Sequence, residues 1–175
     1  MEKFILTDTF TLIPKELYSR EVGTAALKEQ FSLDGGYIFN EYTFEQANAV
    51  VCYAYDEKYY NSCAPGELVY PFIVKLLDET RKIESYNKVI FHYSKSKGIS
   101  HTVICMGDEL KLANSFKADS FESALYFLFL AIHQLQMNPK QCIVRVCSEI
   151  TQEQEETISA FFSGTEKNNL DNTII

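Results

Sequence analysis

Two histidines, His92 and His101, flank a turn of serines, lysines and one glycine in the stretch FHYSKSKGIS (91–100). Turns of this composition can hold phosphate, because glycine lets backbone N–H groups approach the oxygens and nearby lysines supply charge. A tight hairpin across 95–98 sets His92 opposite His101 on neighbouring strands. A metal held there needs a third ligand and a supporting shell. The nearest carboxylates in sequence, Asp108 and Glu109, fall in the next turn, at the far end of the strand. The pair therefore reads as a cross-strand polar contact, and the lysines Lys95 and Lys97 as solvated turn residues around a glycine that the hairpin needs anyway. His133, in an apolar helical run, reads as partly buried and hydrogen-bonded.

Other constellations for chemistry are missing from the sequence. It contains no G-x-S-x-G, no H-E-x-x-H and no G-x-x-x-x-G-K. DGG at 34–36 reads as a turn, and Glu153, Glu155 and Glu156 as the solvated face of a terminal helix. Cys52, Cys105, Cys142 and Cys147 sit inside apolar runs, Cys63 does not, and no pair forms C-x-x-C. Buried free thiols of a reducing compartment explain this pattern better than zinc or disulfides. Tyr53, Tyr55, Tyr59, Tyr60 and Tyr70 crowd together and read either as a protein-binding surface or as a seam between lobes.

A hydrophobic fraction of 46% across 175 residues belongs to a folded chain, and a formal charge of −8 argues against a nucleic-acid partner. The opening MEKFILTDTFTLIP has too short an apolar run for a signal peptide. ALYFLFLAI (124–132) falls short of the roughly 20 residues that span a bilayer. A cytoplasmic protein without a membrane span is the expectation.

The elements that must position these residues follow from pattern. FILTDTFTLI (4–13) reads as a strand stopped by Pro14, and PKELYS as a short helix with Pro14 in its first turn. Ser19 caps the helix REVGTAALKEQF. YIFNEYTF (37–44) and NAVVCYAY (48–55) read as strands, the second covered on both faces. Asp56 caps EKYYNSC, closed by Pro65 and Gly66. ELVYP is a brief strand, and Pro71 opens the helix FIVKLLDETRKI, with Ile73, Leu76, Leu77 and Ile83 near one face. Polar residues at 84–88 place a boundary between a first lobe, 1–86, and a second, 87–175. There, KVIFHYS (88–94), ISHTVICM (99–106) and ELKLANSFKA (109–118) form an antiparallel meander. Asp119 with Glu122 makes a capping box for the helix SFESALYFLFLAIHQLQM, which Pro139 closes. The strand CIVRVCSEI (142–150) follows, then a helix capped by Thr151 with Gln154 and ended by Gly164.

The order β-β-β-α-β-α is the half-repeat of the ribonuclease-H-like, actin-type ATPase fold, an α/β class with a mixed sheet. Through FTLIPKELYS (10–19) and NSFKADSFESALYFLFLAIHQLQMNP (114–139) the chain resembles a family of uncharacterised bacterial proteins assigned an actin-like ATPase fold. The resemblance runs from about Phe4 to Phe162. Members of that family begin with a further three-stranded meander and helix. This chain enters at FILTDTFTLIP and so reads as a short member or a piece, with an incomplete first lobe. In the actin-like fold, that meander carries the first phosphate turn. A sheet edge left open in its absence is expected to pair with a partner strand.

The resemblance further implies two glycine-rich phosphate turns, each following an aspartate that positions metal and water. In FHYSKSKGIS the aspartate position falls near His92 and the first glycine near Ser94, and neither matches. We therefore expect no catalytic residue, no cofactor-binding residue, no metal and no cofactor. The expected protein is a non-catalytic actin-like module acting through a protein partner or self-association. The alternative is a nucleotide-binding ATPase drawing its acids from Asp8, Asp56 or Asp108. Nuclease chemistry would need acids on the strands 88–94 and 99–106, which contain none.

Overall fold

Asp8 and its two threonine neighbours divide the expected 4–13 strand in two. Thr9 N–H donates to Thr7 Oγ1 at 3.0 Å and Phe10 N–H to the Asp8 carbonyl at 3.0 Å. These local bonds compete with the sheet ladder and separate strand β1 (Glu2–Ile5) from β2 (Phe10–Pro14). The computed structural model describes residues 2–33, 35–63 and 67–175; Asp34 of the DGG turn and the Pro65–Gly66 helix stop lie outside them. Contacts group the chain into a unit up to Val74, joined by Ile175, and a second, Lys75–Ile174. That division falls within a helix, whereas the lobe boundary expected from the sequence falls after it.

In the first unit, Pro14 precedes a single 3-10 turn, Lys15–Leu17, where a short α-helix was the expectation. Ser19 then caps α1 (Arg20–Phe31), its hydroxyl accepting from Val22 N–H at 3.2 Å. β3 (Tyr37–Phe44) and β4 (Ala49–Asp56) follow, and β4 lies between β2 and β3, antiparallel to both. Covered on both faces, β4 buries every residue from Ala49 to Tyr55, as its unbroken apolar run predicts. α1 approaches β4 at Gly23, where a Cβ would stand 2.8 Å from Cys52 Sγ, so only glycine fits without movement. Asp56 caps α2 (Glu57–Ser62), accepting from Lys58 N–H at 2.7 Å. β5 (Leu68–Pro71) pairs in parallel with β1.

Helix α3 (Phe72–Thr80) begins directly after Pro71. Its residues Ile73, Leu76 and Leu77, with Ile83 beyond its end, are buried as the helical spacing predicts.

The second unit holds a five-stranded mixed sheet ordered β10-β9-β6-β7-β8. β6 (Asn87–Ser94), β7 (Ile99–Met106) and β8 (Glu109–Lys117) form the expected antiparallel meander. β9 (Ile143–Val146) and the edge strand β10 (Gly164–Lys167) run parallel to β6. Gly164 opens that strand; the preceding helix α5 (Gln152–Ser159) has already ended, and its capping box of Thr151 and Gln154 is present as expected.

Helix α4 (Phe121–Gln134) covers one face of the sheet, burying Phe121, Ala124, Leu125, Leu128, Ala131 and Ile132 against Val89, Phe91, Ile104, Val144 and Val146. Burying this apolar layer stabilises the unit by about 25 cal/mol per Å² of surface removed from water. Its N-cap is Ser120, which accepts from Ser123 N–H at 3.1 Å, and not Asp119. The helix ends at Gln134, before Pro139, which begins a 3-10 turn instead. Among the described residues no helix is long and apolar enough to cross a membrane.

Candidate functional site

The hairpin register places His92 directly opposite His101, as the tight turn requires. β-strand alternation aims Phe91 and Tyr93 at α4, so His92 points to the other face of the sheet. The two imidazole centroids lie 5.6 Å apart at 54°, and neither ring has exposed surface. Nε2 of His92 lies 3.0 Å from Oδ1 of Asp171, which starts the 3-10 turn Asp171–Thr173. The other carboxylate oxygen accepts from Glu149 N–H at 2.9 Å. The hydrogen bond from His92 is the main reason that the Asp171 carboxyl sits below its ordinary value, outweighing the opposite effect of burial. Backbone bonds from Asn168 N–H to the Val146 carbonyl and from Leu170 N–H to that of Cys147, both 3.0 Å, hold the segment that delivers Asp171.

Asp171 is the partner that reading the sequence misses. The carboxylates nearest to the histidines in sequence, Asp108 and Glu109, do not reach them. Asp108 is exposed in the β7–β8 turn, and Glu109 pairs with Lys111 at 2.6 Å. Among the described residues no group of three or more His, Cys, Asp or Glu side chains is arranged to hold a metal ion. A His–carboxylate pair orients an imidazole and fixes its tautomer, but His92 is sealed from solvent, so the arrangement serves as a fastening between β6 and the chain's last turn.

At the hairpin tip, Gly98 adopts φ +60°, the left-handed conformation that this turn demands. Its N–H donates to the Lys95 carbonyl at 3.3 Å, and its own carbonyl accepts from Ala118 N–H at 2.9 Å. Lys95, Ser96 and Lys97 are exposed, and the hydroxyls of Ser94 and Ser96 lie 3.3 Å apart. Gly98 is thus engaged in closing the hairpin and tying it to the start of α4.

A second polar cluster lies beside β9. Arg145, the one charge in CIVRVCSEI before Ser148, reaches Glu79 Oε2 at 3.1 Å and Glu166 Oε2 at 2.6 Å. It also donates to the Lys82 carbonyl at 3.0 Å. The Glu79 side chain is fully buried and also receives Lys82 and Asn168 Nδ2. Burial pushes its carboxyl up, but the bonds from Lys82, Asn168 and Arg145 outweigh that and leave it below its ordinary value. A lone charge in an apolar strand has to be paired, which is the sequence signal for this network.

The remaining candidates separate. Tyr53 and Tyr55 are buried, so they are not docking surface: Tyr53 Oη donates to the Val69 carbonyl at 3.1 Å, and Tyr55 stacks on Tyr60 at 5.8 Å. Tyr70 meets Tyr42 edge-on at 5.5 Å, and of the five only Tyr60 is exposed. His133 is exposed rather than partly buried, because α4 turns its apolar side to the sheet and leaves position 133 outside. Asp56 is a helix cap, and Asp8 accepts from Thr9 Oγ1 at 3.4 Å. Cys52, Cys105, Cys142 and Cys147 are buried free thiols, and Cys63 is partly exposed.

The crystal structure of a protein from Bacteroides thetaiotaomicron VPI-5482, described as having an actin-like ATPase fold and unknown function, is similar to this chain. The likeness has a TM-score of 0.80 at 19% identity and covers 98% of this chain and 70% of that one. It shows that this chain has the actin-like ATPase fold. No curated protein matches the chain. The match over residues 4–161 to "Protein of unknown function (DUF3822)" identifies the chain as a member of the DUF3822 family.

Proposed function

We propose that this protein is a non-catalytic actin-like module, with lobes 1–86 and 87–175, that acts in the cytoplasm through contacts with protein rather than nucleic acid. The observation that carries this reading is the state of position 92. Actin-type phosphate turns follow an aspartate that positions metal and water, and here the corresponding side chain is a buried imidazole bonded to Asp171. Ser94 stands where the first glycine would be, and Gly98 is committed to the hairpin. A formal charge of −8 disfavours a phosphate backbone, and four buried free thiols suit a reducing compartment.

One observation favours the other reading, a nucleotide-binding ATPase. The hydroxyls of Ser94 and Ser96, 3.3 Å apart, alternate with the exposed Lys95 and Lys97 on an actin-like scaffold. Titration calorimetry with ATP and magnesium separates the two. The non-catalytic reading expects no binding tighter than about 1 mM. Tighter binding that is lost in Asp108→Ala would overturn this reading in favour of a nucleotide site.

A further inference from the structure

We infer that the open edge of β8 is a self-association surface, on which a second copy of this chain adds its own β8 antiparallel about a two-fold axis through Ser115. This rests on the protein-contact reading above and names the partner. Among the described residues, β8 pairs with β7 alone and stands at the end of its sheet. The bond from Ala118 N–H to the Gly98 carbonyl fixes which residues face β7. By alternation, Ala113, Ser115 and Lys117 present their N–H and C=O groups to the open side.

The side chains select the register. Centred on Ser115, the pairing matches all three outward residues with one another: Ala113 with Lys117, Ser115 with itself, Lys117 with Ala113. It also brings Lys111 toward Asp119 of the partner subunit at both ends, joining opposite charges. A shift of one residue, to a centre on Asn114, would set Lys111 against Lys117 at both ends, and like charges across a ladder are unfavourable. The β-bulge between Ile104 and Cys105 limits regular pairing to the stretch from Leu112 on, so the ladder of this register runs over 113–117, with Lys111 and Asp119 flanking it at its ends.

Apolar surface lies beside the same edge. Phe116 of β8 stacks on Phe127 of α4 with centroids 4.9 Å apart and planes 5° apart. Tyr126 meets Phe127 edge-on at 5.5 Å yet is 62% exposed, and Leu130, one turn on, is also exposed. Pairing about Ser115 makes the two copies of Phe116 diagonal neighbours on the α4 face. The exposed side of each α4 then has an apolar surface beside it.

The test is the mass of the full chain in solution, by light scattering or sedimentation, for wild type, Ser115→Pro and Tyr126→Lys. Proline at 115 removes an outward N–H and leaves the β7 ladder intact. We expect a wild-type species of twice the 20.1 kDa chain mass, reduced two-fold by either substitution with the circular dichroism spectrum unchanged. As a check independent of folding losses, Ser115→Cys forms a covalent dimer under mild oxidation and Glu109→Cys does not. A monomeric wild type, or a dimer that both substitutions and the cysteine pair leave unaffected, overturns the inference. A monomer that also fails to bind ATP would sink the β8 dimer and leave the non-catalytic reading standing; ATP binding would sink that reading whatever the mass.

Discussion

The imidazole of His92 and the carboxylate of Asp171, 79 residues apart in sequence, meet at 3.0 Å and join the middle strand of the second unit's sheet to the chain's last turn. The same carboxylate receives Glu149 N–H. One side chain thus holds strand β6, the segment before α5 and the C-terminal turn together.

Asp171→Ala should cost about 1–3 kcal/mol, the penalty for stripping a buried donor of its acceptor. Urea denaturation at neutral pH measures it. If the variant is as stable as wild type, the fastening is not stabilising.

The pH dependence of that term has a defined sign. A carboxyl held below its ordinary value adds stability above the unfolded-state pKa, about 4, and loses it as pH falls through the lower folded value. The stability gap between wild type and Asp171→Asn should therefore be constant above about pH 5 and close in more acidic solution. A gap that widens on acidification would contradict the assignment.

Glu79→Ala should destabilise by about 3 kcal/mol, because it leaves Arg145 and Lys82 without their shared buried partner. Arg145→Ala leaves Glu79 with Lys82 and Asn168 and should therefore cost less. Thermal denaturation of both variants checks the order.

Gly23→Ala sets a helix-propensity gain of about 1 kcal/mol against a clash with Cys52 Sγ. In a packed interior the clash wins, with a net loss of about 1–2 kcal/mol. Combining it with Cys52→Ala removes the sulfur and should recover part of the loss; a double mutant no better than the single one would put the strain elsewhere.

Burial pushes the Cys147 thiol up to about 12 and that of Cys52 up to about 11. In the native protein, Cys63 should react with a thiol reagent while the four buried cysteines stay protected until denaturant is added. Mass spectrometry after timed labelling counts them.

Locally encoded features are legible in the sequence. The tight turn at 95–98 fixes the register that sets His92 against His101, and Ser19, Asp56 and the Thr151–Gln154 box mark helix starts through bonds spanning two or three residues. The uniformly apolar run of β4 announces a strand covered on both sides. What stays hidden is either weakly patterned or distant. GTEK carries no apolar alternation and becomes β10 only because β9 offers an edge. Asp119 and Ser120 are both good caps, and the choice between them rests on one backbone turn. The tyrosines give no sign of which rings are buried. Asp171 reaches His92 only once the whole second unit has formed, so no local pattern points to it.

Whether the β6–β7 turn holds phosphate is read directly by amide NMR of that turn during titration with ATP and magnesium. The Ser96 and Gly98 resonances should stay in place up to about 1 mM nucleotide. Saturable shifts at those two amides, accompanied by phosphate release, would contradict the non-catalytic reading.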